Sequence, residues 1–471
     1  MLSPDAMAQT QRESFEEFRA RVKGNYQQFR KTLLDNYADF LAGEWHEYQS
    51  LNGTSRDATP EPRKLPVYKP EKPQTPAQPT EPERETPGPA TPRAEVPKAT
   101  SKPKSDRATD RFLLGTMPVQ ISHADYQISH KLYSNNDYAA HWRELDRQEV
   151  ASNVVPALQA LAAEAGLNGY LTYKLAESYV NTRHADADAT SRISLLHYLL
   201  AHLGYDSRLA TTATGVPMLL LPLDRTVHAR TFLKMDGRKY YIFTPEGIDQ
   251  HAIAGQPIST CRIPEDLNQN KPIDMLIGQL NLPSKPKPFE IAYGGISISG
   301  NVNENLIPLL YNYPQMEVSE YGRCNPDPKL RASVTQQIHD QLATLPADQG
   351  AEKLLGFMQR AFDYATDEDF HGFEKPYFIE ETLYYPKNDC EDRAIFYTYF
   401  LWNAIGKPAQ IVTFPGHAAA TITLDSPIDG VSYDSQGRKW WISDPTYVGA
   451  PTGLVMPMYR DTKPKVEITY Q

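Results

Sequence analysis

Asn388-Asp389-Cys390-Glu391-Asp392-Arg393 is the stretch on which the reading of this chain turns. Behind it Ile395, Phe396, Tyr399, Phe400, Trp402 and Ile405 recur at helical spacing, and Gly406 supplies the stop. The pattern predicts a helix with Asp389 at the N-cap and Cys390 in the first turn. Backbone N–H groups and the helix dipole favour an anion there, which lowers a thiol pKa. The carboxylates of Asp389, Glu391 and Asp392 work against that, so a reactive thiolate needs a basic partner. The plainer reading of such a cysteine is a small buried hydrophobe.

A basic partner is available downstream. Pro415-Gly416-His417 leads into a strand pattern over 418–424. A turn at Gln436-Gly437 then leads into Lys439-Trp440-Trp441-Ile442-Ser443-Asp444-Pro445-Thr446. On successive strands beside the Cys390 helix, His417 would activate the thiol, while Asp444 would orient the imidazole and stabilise its cation. Trp440 and Trp441 point to opposite faces of their strand. One is expected in the core and the other on the wall of a cleft.

Taken in order, Glu380-Glu381-Thr382-Leu383, Asp389-Cys390-Glu391-Asp392-Arg393, Gly416-His417 and Asp444-Pro445-Thr446 resemble the bacterial transglutaminase-like cysteine proteinase superfamily over about 330–471. The resemblance implies an α+β fold with a papain-like transglutaminase core. It implies a Cys390, His417, Asp444 triad acting through a thioester, with no cofactor and no metal. The Cys390 backbone N–H is expected to supply part of the oxyanion hole. Members hydrolyse peptide or amide bonds, cross-link Gln to Lys or deglycosylate, and some are inactive; hydrolysis is the expectation here. The implied partner is a protein or cell-envelope peptide substrate. Asn388 departs from the glycine usual before Asp-Cys in that family. The alternative is a non-catalytic binding or assembly protein that uses such modules as scaffold.

The first globular stretch repeats the plan. Gly237-Arg238-Lys239-Tyr240-Tyr241-Ile242-Phe243-Thr244-Pro245 parallels the residues from Gly437 to Pro445. Asp188-Ala189-Thr190-Ser191-Arg192 and an apolar helix to Gly204 parallel the Cys390 segment, one helical residue short. The cysteine position holds Ala189 or Asp188, the acid position holds Thr244, and His228 is the candidate match for His417. Residues 106–285 therefore read as a degenerate α+β module, 286–329 as a small β segment, and 330–471 as the module with chemistry. Elsewhere, His197 and His202 are five apart on a helix and do not share a face, so they are no metal pair.

Upstream, Phe15, Tyr26, Tyr37 and Tyr48 stand eleven apart, as do Phe18, Phe29 and Phe40. Eleven residues make three helical turns, so 9–50 read as one amphipathic helix with an aromatic stripe. Such a stripe is expected to self-associate, to dock on a partner or to pack on its own domain. Thirteen prolines between Pro60 and Pro103 mark 51–105 as an extended linker. Ala6-Met7-Ala8 before Gln9 fits a signal-peptide cleavage box, so 1–8 read as a leader remnant and the expected location is periplasmic or secreted. In an exported chain Cys261 and Cys324 could pair, leaving Cys390 free. The net charge of −10 gives no footprint for nucleic acid, and no apolar run is long enough for a transmembrane span.

Overall fold

The computed structural model describes residues 31, 34–55, 67, 107–249, 253–261 and 271–471. The leader remnant expected over 1–8, residues 9–30, 32 and 33 of the helix expected over 9–50, and most of the linker expected over 51–105 fall outside these residues.

A short helix, α1 (Tyr37–Ala42), ends at Gly43 and is followed by a strand, β1 (Trp45–Gln49). A hairpin comes next, β2 (Arg107–Leu114) and β3 (Met117–Ala124). Four helices follow: α2 (Asn135–Arg147), α3 (Val150–Ala165), α4 (Gly169–Arg183) and α5 (Ala189–Leu203). Their limits are written in the sequence. Ser134 and Asp137 form a capping box on α2, Asn168 and Asp188 cap α4 and α5, and Gly166 and Gly204 take left-handed C-cap conformations. The first sheet contains β4 (Arg208–Thr212), β5 (Pro217–Leu221), β6 (Phe232–Met235), β7 (Arg238–Phe243) and β8 (Pro257–Cys261), in the order β1-β8-β4-β5-β7-β6.

The second half opens with a hairpin, β9 (Pro286–Tyr293) and β10 (Ile296–Asn303), turned at Gly294 and Gly295, both at positive φ. Helices α6 (Ile307–Tyr311), α7 (Val318–Arg323), α8 (Pro328–Leu342) and α9 (Ala347–Arg360) follow. A segment carrying β11 (Asp363–Tyr364), α10 (Asp367–His371), α11 (Ile379–Tyr384) and β12 (Lys387–Asn388) leads to the cysteine helix α12 (Cys390–Phe400). The second sheet is built from β13 (Ala409–Phe414), β14 (His417–Ile422), β15 (Ser432–Ser435), β16 (Arg438–Ser443) and β17 (Lys465–Tyr470), in the order β15-β16-β14-β13-β17.

Read from the other edge, that order is β17-β13-β14-β16-β15, strand for strand the order β8-β4-β5-β7-β6 of the first sheet. The preceding helices correspond as well. From N-cap to C-cap α5 spans Asp188 to Gly204, while α12 and its extension span Asp389 to Gly406, one residue more. A π turn over Leu401–Ile405 absorbs that residue. The helical segment thus closes on a left-handed glycine in both halves, and the register of the following strands is kept.

The helix expected over 9–50 is corrected where the chain is described. Gly43 ends α1, and Trp45–Gln49 pairs with Pro257–Cys261 in the first sheet. In a strand the aromatics can be buried on both faces. Trp45 stacks on Tyr138 at 5.7 Å, and Tyr48 packs on the Met218, Leu220 and Ile242 cluster. Tyr37 and Leu41 are buried in the core of the first half, so this part of the stripe packs on its own domain. The linker is corrected at its start, since Leu51 bridges Phe232 and Thr54 bridges His228. The segment 286–329 is a hairpin followed by two short helices. One core cluster extends through both halves, from Leu34 to Ile422, and includes Cys390. Among the described residues no helix is long and apolar enough to cross a membrane.

Candidate active site

His417 is the first residue of β14, placed by a turn in which Gly416 takes φ +70°. Asp444 follows the last residue of β16, two strands that pair directly. Asp444 Oδ1 accepts the backbone N–H groups of Thr446 (2.8 Å) and Tyr447 (3.2 Å), which leaves Oδ2 for His417 Nε2 at 2.9 Å. Both side chains are buried. With the carboxylate ionised, Nε2 carries the proton and Nδ1 is the nitrogen left for a thiol. Two groups hold this pair that sequence reasoning missed. Gln359 of α9 donates to the carbonyls of Asp444 (3.0 Å) and Ala450 (2.9 Å) and accepts Gly449 N–H (2.9 Å). Tyr459 lies parallel to the imidazole, with centroids 5.6 Å apart, and its hydroxyl donates to the Pro415 carbonyl.

Cys390 begins α12 at the expected place, beside this pair. Its sulfur accepts the N–H of Ala418, the residue after His417, at 3.4 Å. Its own hydrogen bond goes to Glu391 Oε2 at 3.3 Å. Among the described residues no hydrogen bond joins the thiol to His417. Burial, then the charges of Glu391 and Asp389, push the Cys390 thiol well above its ordinary pKa.

The surroundings of the thiol are more acidic than the motif alone suggests. Asp389, Cys390 and Glu391 form one group of ligand-type atoms within 4.8 Å of one another; Asp367, Asp389 and Asp392 form a second, and Asp367, Glu374 and Glu391 a third. Asp392 is committed to the backbone, accepting Tyr377 N–H (2.7 Å) and Asp389 N–H (3.2 Å). Neither carboxylate oxygen of Asp389 has a hydrogen-bond partner among the described residues. Burial first, then mutual repulsion, raises Asp389 and Asp392 far above the carboxylate range and Asp367 to about 10. These oxygens could hold a hard divalent cation, whose charge would offset the repulsion and favour a thiolate. In contrast, Glu380 and Glu381 are structural. Glu380 binds Arg331 through two bonds of 2.8 and 2.9 Å, and Glu381 binds Lys375 at 2.8 Å.

Other sequence expectations are resolved less favourably. Trp440 and Trp441 are both buried, with their indole N–H groups on the carbonyls of Ser435 and Ile428, so neither walls an open cleft. Cys261 and Cys324 are both free and buried, so the pairing left open for them is absent. Burial pushes the two thiols up to about 11 and about 12. His197 is a satisfied core histidine, bonded to Ser207 Oγ (2.9 Å) and Tyr37 OH (3.1 Å).

Strand register fixes what the first half carries at the positions of Cys390, His417 and Asp444. Asp188 caps α5 as Asp389 starts α12, so Ala189 stands for Cys390. Gly215-Val216 turns into β5 as Gly416-His417 turns into β14, with both glycines at positive φ. Val216 therefore replaces His417. Thr244 follows β7 as Asp444 follows β16. His228, the sequence candidate, lies instead beside Thr54 and 3.4 Å from Glu317. Comparison with protein-family models, curated proteins and solved structures finds no match to this chain.

Proposed function

We propose that the chain is an exported thiol hydrolase of the transglutaminase-like class, with a papain-like core in its second half and a duplicated copy without the triad in its first. The observation that carries this reading is the buried His417–Asp444 pair at 2.9 Å, with the backbone N–H of the next residue on the Cys390 sulfur. His417 Nδ1 takes the thiol proton as Sγ attacks the carbonyl carbon of a peptide or amide. The Cys390 backbone N–H stabilises the tetrahedral oxyanion. Collapse leaves a thioester and an amine, which departs with the proton from His417. Water, deprotonated by His417, then cleaves the thioester to a carboxylic acid and restores the thiol. The substrate class is a protein or cell-envelope peptide.

A second reading, a non-catalytic binding module, draws on one observation: the thiol is bonded to Glu391 and held protonated. Native protein treated with iodoacetamide at pH 6, digested and mapped, separates the two. The enzyme reading expects Cys390 to be alkylated ahead of Cys261 and Cys324, and expects His417→Ala to slow it. Equal labelling of all three thiols, indifferent to His417, would overturn the catalytic reading.

A further inference from the structure

The first half carries none of the three residues, yet open space remains beside two of the three equivalent positions. A cavity of about 410 Å³ opens between α4, α5 and the loop after β7, and two triad-equivalent residues, Ala189 and Thr244, line it. Its size lies within the range of small-ligand sites.

The second half shows why this space exists. There α9 fastens the loop after β16, since Gln359 bonds Asp444, Gly449 and Ala450, and Glu352 accepts Thr452 N–H. Residues 361–389 also lie between α9 and α12, whereas only 184–188 separate α4 from α5. Arg393, on the first turn of α12, is held within that longer segment, its Nε donating to Asn388 Oδ1 and its Nη2 to the Phe362 carbonyl. Its counterpart Arg192 has no such segment to bind. Arg192 lines the cavity, and among the described residues its guanidinium makes no hydrogen bond or ion pair. Asn181 on α4 lines the same cavity and is likewise unpartnered.

The lining selects among ligands. Lys174 is neutralised by an ion pair with Glu177, so Arg192 is the one free cation on the wall among the described residues. Glu246 at the exposed side adds a negative charge. A dianion such as phosphate would meet one guanidinium and one opposing carboxylate. A single carboxylate meets the guanidinium fork and the Asn181 amide with matched geometry. Ile193, Leu196 and Pro245 offer apolar surface for a small side chain, and Glu246 suits an amine at the far end.

We infer that this cavity is a binding site for a short peptide, whose free carboxylate is held by Arg192 and Asn181. The first half then serves as a recognition module, its ligand lying in a space that the second half closes with α9 side chains and the 361–389 segment.

The test uses the full chain carrying Cys390→Ala, so that no probe can be cleaved and the outcome does not depend on whether the second half is an enzyme. Trialanine with a free C-terminus, trialanine amide and inorganic phosphate are titrated calorimetrically. The free acid is expected to bind one to one, the amide about tenfold more weakly, and Arg192→Gln to lower the free-acid affinity about tenfold at unchanged melting temperature. Ala189→Trp, which fills the cavity, should abolish binding. Equal affinity for acid and amide, displacement of the peptide by phosphate, or no binding up to about 10 mM peptide overturns the inference. The acid–amide comparison is made on one protein, so it stands even where a variant folds poorly.

Discussion

Tyr37 ties the N-terminal segment to the first half, and its removal measures how much that segment contributes. The side chain is 4% exposed. Its ring stacks on Trp142 with centroids 4.5 Å apart, and its hydroxyl shares a hydrogen bond of 3.1 Å with His197 Nε2. Burial holds His197 near a pKa of about 3, so the imidazole is neutral and depends on that hydroxyl. Tyr37→Ala empties a ring-sized space in a rigid core, which costs about 3–5 kcal/mol. Tyr37→Phe keeps the ring and loses the hydrogen bond, about 1 kcal/mol, rising toward about 3 if His197 is left unsatisfied. Urea unfolding followed by far-UV circular dichroism reads both. An alanine variant within about 1 kcal/mol of wild type would refute the reasoning, because a buried ring with a stacked partner cannot be removed so cheaply. The same contacts bear on truncation. A chain starting at residue 106 lacks α1 and β1, uncovers Trp142 and Tyr138, and is expected to be less stable than the whole.

Three further outcomes are expected. Asp444→Asn should leave the fold intact and lower turnover of any identified substrate by about 10³-fold or more, since the asparagine no longer holds Nε2–H or stabilises the imidazolium; a loss below tenfold would remove Asp444 from the mechanism. Glu391→Gln removes the neighbouring carboxylate that most raises the Cys390 thiol, so the thiol pKa falls, and alkylation at a fixed pH below that pKa should quicken. An unchanged rate–pH profile would mean Glu391 does not act on the sulfur. With a thiol-reactive chromogenic reagent, all three cysteines should titrate as free thiols in denatured, unreduced protein, while native Cys261 and Cys324 stay inert in their buried sites. Two missing equivalents would contradict that assignment.

Local signals carried much of the fold. Asp389 and Gly406, or Asp188 and Gly204, bracket helices with apolar periodicity, and the Asp236-Gly237 and Gln436-Gly437 turns mark hairpins; each is decided within a few residues. The likeness between the two sheets was legible because the repeated hairpin lies at an offset of 200, from Gly237 to Gly437. Long-range pairings were not. β1 reaches β8 across two hundred residues, and neither strand is long enough to declare itself. The aromatic spacing around Tyr37 and Tyr48 fits a helix and also a helix followed by a strand, and only Gly43 separates the two. At the site, Cys390, His417 and Asp444 were candidates from their flanks. Gln359 and Asp367 were invisible because they come from elements with no motif of their own. The misplacement of the His417 counterpart at His228 followed from matching residue type. Matching the Gly215-Val216 turn to Gly416-His417 would have found the valine.

The core that holds Tyr37 also holds Cys390. Because it is unbroken, the halves are expected to open as one cooperative unit. A destabilising substitution in the first half then lowers the fraction of molecules in which His417 and Asp444 stand together. Selection on whatever that pair does would thus reach residues such as Trp142 and Leu209, which belong to the same core, through abundance and not through chemistry.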